Sequence, residues 1–251
     1  MSASSQISAD TPQEGSSAEE LLRWAIGTYR ERFAILTSFQ SEGMVLVDMA
    51  VKIEPRVRVI TLDTGRLPAE TYGMIETVRE LYGIPVEMVG PDAEETGRMT
   101  TRFGPNLFRE EVAYRRLCCE IRKVRPFATK LPGLDAYAVG LRRAQGTSRE
   151  NIAMVDFADS RYKLSPLATW SQEDVAAYTR EHQVPVHPLY EAGYTSIGCE
   201  PCTRAIGAGE SERAGRWWWE LDGNSECGLH FSAEGRVERS VDVLLREILT
   251  N

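Results

Sequence analysis

The chain has 251 residues, of which 42% are hydrophobic and 26% are charged, so it can bury one sizeable core or a core with a smaller appended segment. Its net charge of −8 argues against broad nucleic-acid binding but allows a local basic patch for a small anion. No apolar run approaches the roughly 20 residues that span a bilayer.

The polar and acidic N-terminus predicts a disordered lead-in over residues 1–16. It has neither the positive start nor the apolar stretch of a signal peptide, so we expect a cytoplasmic protein without a membrane partner. In a reducing compartment, the five cysteines favour metal or catalytic thiols over a disulfide framework.

Strands and helices alternate from residue 17 onward. Ser17 and Glu20 have the spacing of a capping box and predict the first helix, and Ser171 and Asp174 predict a later one. Short apolar runs predict strands at 33–39, 57–62, 84–90 and 136–141, with helices between the first three. The alternation predicts an α/β fold, with an open, mostly parallel twisted sheet and helices on both faces.

After Tyr190 the sequence becomes rich in glycine and cysteine and loses its periodicity. We therefore expect an α/β core over residues 17–195 and an irregular, cysteine-bearing C-terminal segment over 196–230. Residues 231–251 predict an amphipathic helical extension, because apolar side chains recur at helical spacing at Val237, Val241, Leu244 and Ile248.

Three loops are candidate binding sites, because ligands of open parallel sheets bind beyond the carboxyl ends of the strands. Residues 38–43, with the sequence SFQSEG, place two serines before a helix N-terminus, which suits an anion, although such loops are common. Residues 63–65 follow the second strand. Residues 140–149 hold three arginines, whose guanidinium groups either bind phosphate or sulfate oxygens or face solvent.

The most specific pattern is a set of four cysteines, the adjacent pair Cys118 and Cys119 and the C-x-x-C pair Cys199 and Cys202. Adjacent cysteines form a disulfide only in a strained ring, so a shared ligand is the better explanation. A zinc ribbon uses two C-x₂-C knuckles and fits adjacent ligands poorly, without being excluded. A cubane iron–sulfur cluster takes four thiolates, one on each iron.

Two other interpretations of these cysteines stay open. The adjacent pair would also suit small buried hydrophobic side chains on a helix. The C-x-x-C pair would suit a redox motif, although it occurs late and in an irregular segment rather than at a first strand–helix junction. The fifth cysteine, Cys227, lies between Gly223 and Gly228 and is either a nucleophile or a partly buried thiol without a special role.

Several longer strings carry a resemblance to a known family. They are the adjacent cysteines followed by R-K-x-x-P, then GYTSIGCEPCTR, R-x-x-R-W-W-W-E over residues 213–220, and ECGLH. From about residue 33 to 230, the chain resembles the assimilatory adenylyl-sulfate reductases, the iron–sulfur branch of the phosphoadenylyl-sulfate reductase family. The resemblance implies an adenine nucleotide alpha-hydrolase-like fold, with residues 17–195 binding the nucleotide. It also implies one [4Fe–4S] cluster on Cys118, Cys119, Cys199 and Cys202, with the nucleophile at Cys227.

The same resemblance implies reduction of adenosine 5′-phosphosulfate to sulfite and AMP, through a cysteine S-sulfonate, in sulfate assimilation and cysteine biosynthesis. Thioredoxin or a similar dithiol would be the reductant, nucleic acid would not be a partner, and a homo-oligomer is left open. The implied nucleotide loop contains Ser38, Gln40, Ser41 and Gly43, with Leu62, Gly140 and Arg149 at the adenosine. Lys123, Arg213 and Arg216 would hold the phosphosulfate, and Arg142 and Arg143 complete the set of expected substrate-binding residues.

Three local expectations depend on this resemblance. Phe39 and Gln40 replace two glycines of ATP-cleaving relatives, so we expect Phe39 to fill the space of a pyrophosphate. Lys123 follows Cys119 by about one helical turn and should point toward both the cluster and the sulfate. The three tryptophans at 217–219 should anchor Arg213 and Arg216 rather than stack on a base.

The alternatives are a 3′-phosphoadenylyl-sulfate reductase, a cluster-dependent tRNA-thiolating enzyme and a zinc-binding module without activity. The loop SFQSEG and the acidic charge argue against tRNA thiolation. The residues after His230 depart from the family pattern, which ends soon after ECGLH. They would either restrain Cys227 or form a subunit contact.

Overall fold

The computed structural model describes residues 11–12, 14–220 and 235–249, except for the side chains of residues 147 and 235–240. Cys227, the predicted nucleophile, lies outside the described residues, as do Gly223, Gly228 and His230.

Six strands form one sheet in the order β3-β2-β1-β4-β6-β5. Strand β1 pairs in parallel with β2 and β4, β4 pairs in parallel with β6, and β5 joins β6 antiparallel. The sheet is therefore mostly parallel, as predicted. The strands span Phe33–Leu36 (β1), Arg58–Leu62 (β2), Val86–Val89 (β3), Ala136–Val139 (β4), Val155–Ala158 (β5) and Arg161–Leu164 (β6).

The predicted strand boundaries were too wide, and the hairpin of β5 and β6 was missed. Strand β1 ends at Leu36, where 39 was expected, and β4 ends at Val139, where 141 was expected. The hairpin turns at Asp159 and Ser160, which both have positive φ values, 51° and 61°. Such a tight turn usually carries asparagine or glycine, so its usual sequence signal is absent here.

Eight α-helices lie among the described residues, and none of them is long and apolar enough to cross a bilayer. Both predicted capping boxes are present. The backbone N–H of Ser17 donates to the carboxylate of Glu20 at 2.8 Å, and that of Ser171 donates to Asp174 at 2.8 Å. The helices span Ala18–Tyr29 (α1), Ser41–Ile53 (α2), Ala69–Tyr82 (α3), Ala93–Phe103 (α4), Val112–Cys119 (α5), Arg125–Lys130 (α6), Gln172–Glu181 (α7) and Gly235–Leu249 (α8).

The chain divides into two compact units. The first lies within Met1–Thr61, Ala69–Glu87 and Leu131–Tyr190, and α1 and α2 pack on β1 and β4 around its apolar core. The second lies within Leu62–Pro68, Met88–Lys130 and Glu191–Asn251.

The core of the second unit, called the second core below, contains the four predicted ligand cysteines. Its other buried members are Met99, Leu107, Phe108, Leu117, Ile121, Trp217 and Ile248. Residues 191–220 form short turns, one 3₁₀-helical turn at Glu200–Cys202 and one isolated bridge between Thr203 and Arg216, so this part of the predicted C-terminal segment is largely irregular.

Candidate functional site

In the first unit, the predicted nucleotide loop joins β1 to α2. Gln40 is the N-cap of α2, and its side-chain amide donates to Ser38 Oγ at 2.9 Å, so these two predicted residues bind each other. The backbone N–H of Ser41, in the first turn of α2, donates to the Tyr190 hydroxyl at 3.2 Å. Tyr190 was not expected at this helix N-terminus, and no motif in the sequence marks it.

Phe39 does not fill open space in the loop. Its side chain is fully buried in the apolar core, and its backbone takes a positive φ of 57°. The side chain therefore belongs to the apolar core, and its relation to the position of a pyrophosphate stays a prediction. The left-handed backbone is held by the core contact and by the Phe39 N–H, which donates to Thr37 Oγ1 at 2.9 Å.

The glycines of two loops let strand β4 meet the first turn of α2. A Cβ on Gly140 would lie 2.8 Å from Glu42 Cβ and 2.9 Å from the backbone nitrogen of Gly43. A Cβ on Gly43 would overlap the Thr37 hydroxyl. Gly140 and Gly43, both predicted site residues, thus lie side by side at the N-terminus of α2. Leu62, another predicted residue, is the last residue of β2.

Gly140→Ala should destabilise the protein by about 1–3 kcal/mol, because the added methyl overlaps backbone that has little freedom to move. Gly73→Ala is the matched control, since no atom lies within 4 Å of a Cβ at this position in α3. The control should raise stability by about 0.5–1 kcal/mol, through helix propensity alone. Urea unfolding measures both changes. Equal effects at the two positions would contradict the close approach.

The three arginines after β4 have different surroundings. The buried Arg142 forms an ion pair with Glu42 at 2.7 Å, and Gln145 donates to the same carboxylate at 3.0 Å. Arg149 is also buried and donates to Gln145. Arg143 donates to the Ile152 carbonyl at 2.9 Å and pairs with Glu14. Arg142 and Arg149 thus belong to one polar network around Glu42, and their predicted contacts with substrate stay predictions.

Breaking the Arg142–Glu42 pair should be costly, because its two side chains are only 1% and 9% exposed. Glu42→Gln should lower the unfolding free energy by about 3–5 kcal/mol, since it leaves a buried guanidinium without its counter-charge. Glu76→Gln removes the exposed pair with Arg79 and should change stability by less than about 1 kcal/mol. A loss from Glu42→Gln as small as that of Glu76→Gln, in urea denaturation, would show that the pair is not a stabilising element.

The four predicted ligand cysteines line one pocket in the second unit. All four are buried, and they form no disulfide bond with one another. The rest of the lining is basic or aromatic. The pocket, called the cysteine pocket below, is lined by Cys118, Cys119, Cys199, Cys202, Arg115, Arg122, Lys123, Phe108 and Trp217. The fold therefore brings the adjacent pair and the C-x-x-C pair together.

The turn after the adjacent pair is wider than expected. Cys118 and Cys119 end α5, and Glu120–Val124 then form one π-helical turn. The expectation of a regular helical turn between Cys119 and Lys123 was therefore wrong, although Lys123 does line the cysteine pocket. Single π-turns in helices often occur at functional sites, where they change the direction of side chains.

The basic lining acts unequally on the thiols. Burial raises the pKa of Cys199, but Lys123, the hydrogen-bonding Thr64 hydroxyl at 3.2 Å and nearby arginines outweigh it, so the net pKa is lowered. Burial raises the pKa of Cys118 and Cys202. The cationic groups thus favour thiolate at one cysteine most strongly, and a thiolate is the form that binds metal.

No motif in the sequence assigns a role to Thr64 or Arg122, which both contribute to the cysteine pocket. Arg122 is buried, lines the pocket and donates to the Thr64 carbonyl at 2.7 Å. Thr64 belongs to the loop at 63–65 that follows β2, which was a candidate only because of its place after a strand. Its contact with Cys199 depends on tertiary structure and has no sequence signal.

Trp217 lies against two guanidinium groups at the pocket. The Cζ atoms of Arg115 and Arg216 lie 4.5 and 4.6 Å from its ring centroid, and Arg115 also forms a buried ion pair with Glu220 at 2.7 Å. Arg216 donates to Ser196 Oγ at 3.3 Å and would overlap a Cβ on residue 198, which is glycine. Trp217 thus packs against Arg216, as expected of an anchor.

Arg213 is the remaining residue expected at the phosphosulfate. It lies in the turn before Arg216, and its backbone carbonyl accepts a hydrogen bond from the Arg216 N–H at 2.9 Å. Trp219 packs on Phe108, whereas Trp218 is 41% exposed.

The donor set of the cysteine pocket suits a soft metal centre. Among the described residues, no three His, Cys, Asp or Glu side chains gather closely enough to hold one metal ion. Four soft thiol donors around one pocket, with cations to offset thiolate charge, are compatible with a cluster of several irons. A single tetrahedral zinc would need the four sulfurs to converge on one point.

Comparison with known proteins agrees with these features. The phosphoadenosine phosphosulfate reductase domain matches residues 32–205. The chain belongs to the phosphoadenosine phosphosulfate reductase family. This family assignment confirms the resemblance seen in the cysteine and arginine motifs.

Two relatives within the family are similar over most of their length. The adenosine 5′-phosphosulfate reductase of Burkholderia cepacia is 41% identical over 88% of this chain and 90% of its own. That of Allochromatium vinosum is 41% identical over 89% of this chain and 88% of its own. The crystal structure of phosphoadenylyl-sulfate reductase from Candida auris superposes with a TM-score of 0.64, at 27% identity, and covers 76% of this chain and 91% of that chain.

Proposed function

We propose that this protein reduces adenosine 5′-phosphosulfate to sulfite and AMP, with thioredoxin or a similar dithiol as reductant, in the cytoplasm. One combination of observations carries the proposal. A pocket with four thiols and basic side chains occurs in a chain that is 41% identical, over most of its length, to proteins named adenosine 5′-phosphosulfate reductase.

The first step is transfer of a sulfonate group to Cys227. Its thiolate attacks the sulfur of the sulfate group, the bond from sulfur to the bridging oxygen breaks, and AMP leaves with the electron pair. The product is a cysteine S-sulfonate. Lys123 and Arg213 would offset charge on the phosphosulfate oxygens, which lowers repulsion of the incoming thiolate.

The second step releases sulfite by thiol exchange. A thiolate of the dithiol attacks Cys227 Sγ, the sulfur–sulfur bond breaks, and sulfite leaves with the electron pair. The second thiol of the reductant then attacks the mixed disulfide and restores Cys227. The two electrons come from the dithiol, which ends as a disulfide, and sulfur passes from sulfate to sulfite.

A [4Fe–4S] cluster would be held by Cys118, Cys119, Cys199 and Cys202. When bound, it would supply a fixed charged centre near the basic side chains, and no electrons for the transfer. Support for this assignment comes from the four-thiol donor set and from the positive groups that favour thiolate at Cys199.

Arg216, like Lys123, acts electrostatically on the cysteine pocket. It is buried, its guanidinium contacts Ser196, and its charge helps to lower the pKa of Cys199. We therefore assign its charge first to the cysteine pocket, and its contact with phosphosulfate remains part of the proposal.

The test is a competition assay that follows sulfite release, with reduced thioredoxin, from adenosine 5′-phosphosulfate and its 3′-phosphorylated analogue. We expect much higher kcat/KM for the first. The likeness to the Candida auris enzyme favours the second as an alternative substrate. A preference for the 3′-phosphorylated nucleotide would replace the proposed substrate, and no sulfite from either would reject both.

A further inference from the structure

The C-terminal helix α8 packs on the helix that ends in two of the pocket cysteines. It contacts α4 and α5 of the second unit, and Cys118 and Cys119 are the last residues of α5. The extension therefore has a defined contact within the described residues, which the sequence could not decide.

The contact face of α8 is apolar. Ile248 is 1% exposed and belongs to the second core together with the four cysteines, Met99 and Leu117. Leu244 and Leu245 pack against the same core, one helical turn before Ile248. Val243, on the other side of the helix, is 54% exposed. Two of the predicted apolar positions, Leu244 and Ile248, thus lie on the face that packs against the core.

Two arginines of α4 hold the last turn of α8. Arg98 donates to the Ile248 carbonyl at 3.1 Å and to the Leu249 carbonyl at 3.4 Å. Arg102, one turn later on α4, forms an ion pair with Glu247 at 2.6 Å. Positive side chains at a helix C-terminus satisfy its last carbonyls and offset the negative end of its dipole. These bonds fix the end of the helix at which Ile248 enters the core.

We propose that α8 is a cover for one side of the second core, which holds α5 and the Cys118–Cys119 pair in place and keeps solvent and chelators from them. The part of this inference that concerns a metal centre rests on the proposed function, whereas the cover over the thiols does not. Undocking of α8 would expose one side of the second core and release α5 from its neighbour.

Hydrogen exchange of the α5 amides tests the cover whether or not metal is bound. In Ile248→Asp, a carboxylate replaces a buried apolar side chain, so α5 amides should exchange at least about tenfold faster than in the parent, equivalent to about 1.4 kcal/mol. Val243→Asp adds the same charge on the exposed face and should leave the exchange unchanged. Ile248→Ala should accelerate exchange in the same direction by a smaller factor. Parent-like exchange in Ile248→Asp would overturn the proposal.

Iron release separates the cover from the metal assignment. In metal-loaded full-length protein, Ile248→Asp should lose iron to a chelator at least about tenfold faster than Val243→Asp, because undocking of α8 opens access to the centre. Equal rates would overturn the cover while leaving the metal centre intact. If the full-length parent protein contains no iron, the metal assignment is rejected. Hydrogen exchange of the α5 amides still tests whether α8 acts as a cover.

Discussion

Cys227→Ser should abolish sulfite formation. The hydroxyl of serine is scarcely ionised near neutral pH, so it is a far weaker nucleophile than a thiolate. A serine sulfate, if formed, would also offer no sulfur–sulfur bond for a dithiol to break. We therefore expect kcat/KM to fall by roughly 10³-fold or more, as for other nucleophile replacements. The measurement is sulfite release from adenosine 5′-phosphosulfate with excess reduced thioredoxin.

Two properties of this variant should stay as in the parent. AMP should bind with the same affinity, because the predicted nucleotide loop belongs to the first unit and does not include Cys227. The iron content should also be unchanged, because Cys227 is not one of the four cysteines that line the cysteine pocket. Sulfite formation at the parent rate would remove Cys227 from the mechanism.

Cys202→Ser should lose both the metal centre and activity. Serine is a hard oxygen donor with a high pKa, and it replaces one of four buried thiols that suit iron–sulfur chemistry. We expect iron and acid-labile sulfide to fall close to zero in anaerobically purified protein, with loss of visible absorbance. Activity should fall with metal content.

Cys227→Ser, the variant described above, serves here as the matched control, because it should keep iron but lose activity. The two variants thus separate metal binding from nucleophilic attack. Full iron content in Cys202→Ser would show that this residue is not a ligand. Zinc in place of iron in the parent protein would favour a structural zinc site and contradict the cluster.

Most of the fold could be predicted because its signals are local. The capping boxes at Ser17 and Ser171 need only residues three positions apart, and the buried parallel strands have continuous apolar runs. The hairpin at Asp159 could not be predicted, because its turn lacks the usual asparagine or glycine and its outer strand is short and only half-buried.

The candidate site was predicted only in part. The cysteine spacing identified four residues that do line one pocket. The contact of Thr64 with Cys199, the burial of Phe39 and the pairing of Arg142 with Glu42 all join residues whose proximity depends on tertiary packing. Motifs carry residue types and spacing, but they do not carry the identity of a neighbour that is distant in the chain.

The docking of α8 shows the same limit. Helical spacing of apolar residues predicted the helix and its apolar face, yet an apolar face fits a subunit contact as well as a contact within the chain. In the structure, α8 packs on α4 and α5 through Ile248 and the two arginines Arg98 and Arg102. The irregular stretch at 191–220 could be predicted only by the absence of a period.

The measurement that tests the central claim most directly is mass spectrometry of the protein after incubation with adenosine 5′-phosphosulfate and no reductant. We predict an adduct of about 80 Da, one sulfonate group, on Cys227, as expected for a covalent intermediate. Reduced thioredoxin should then remove the adduct and release one equivalent of sulfite. An active enzyme with unmodified Cys227, or with the sulfonate on another residue, would contradict the proposed mechanism.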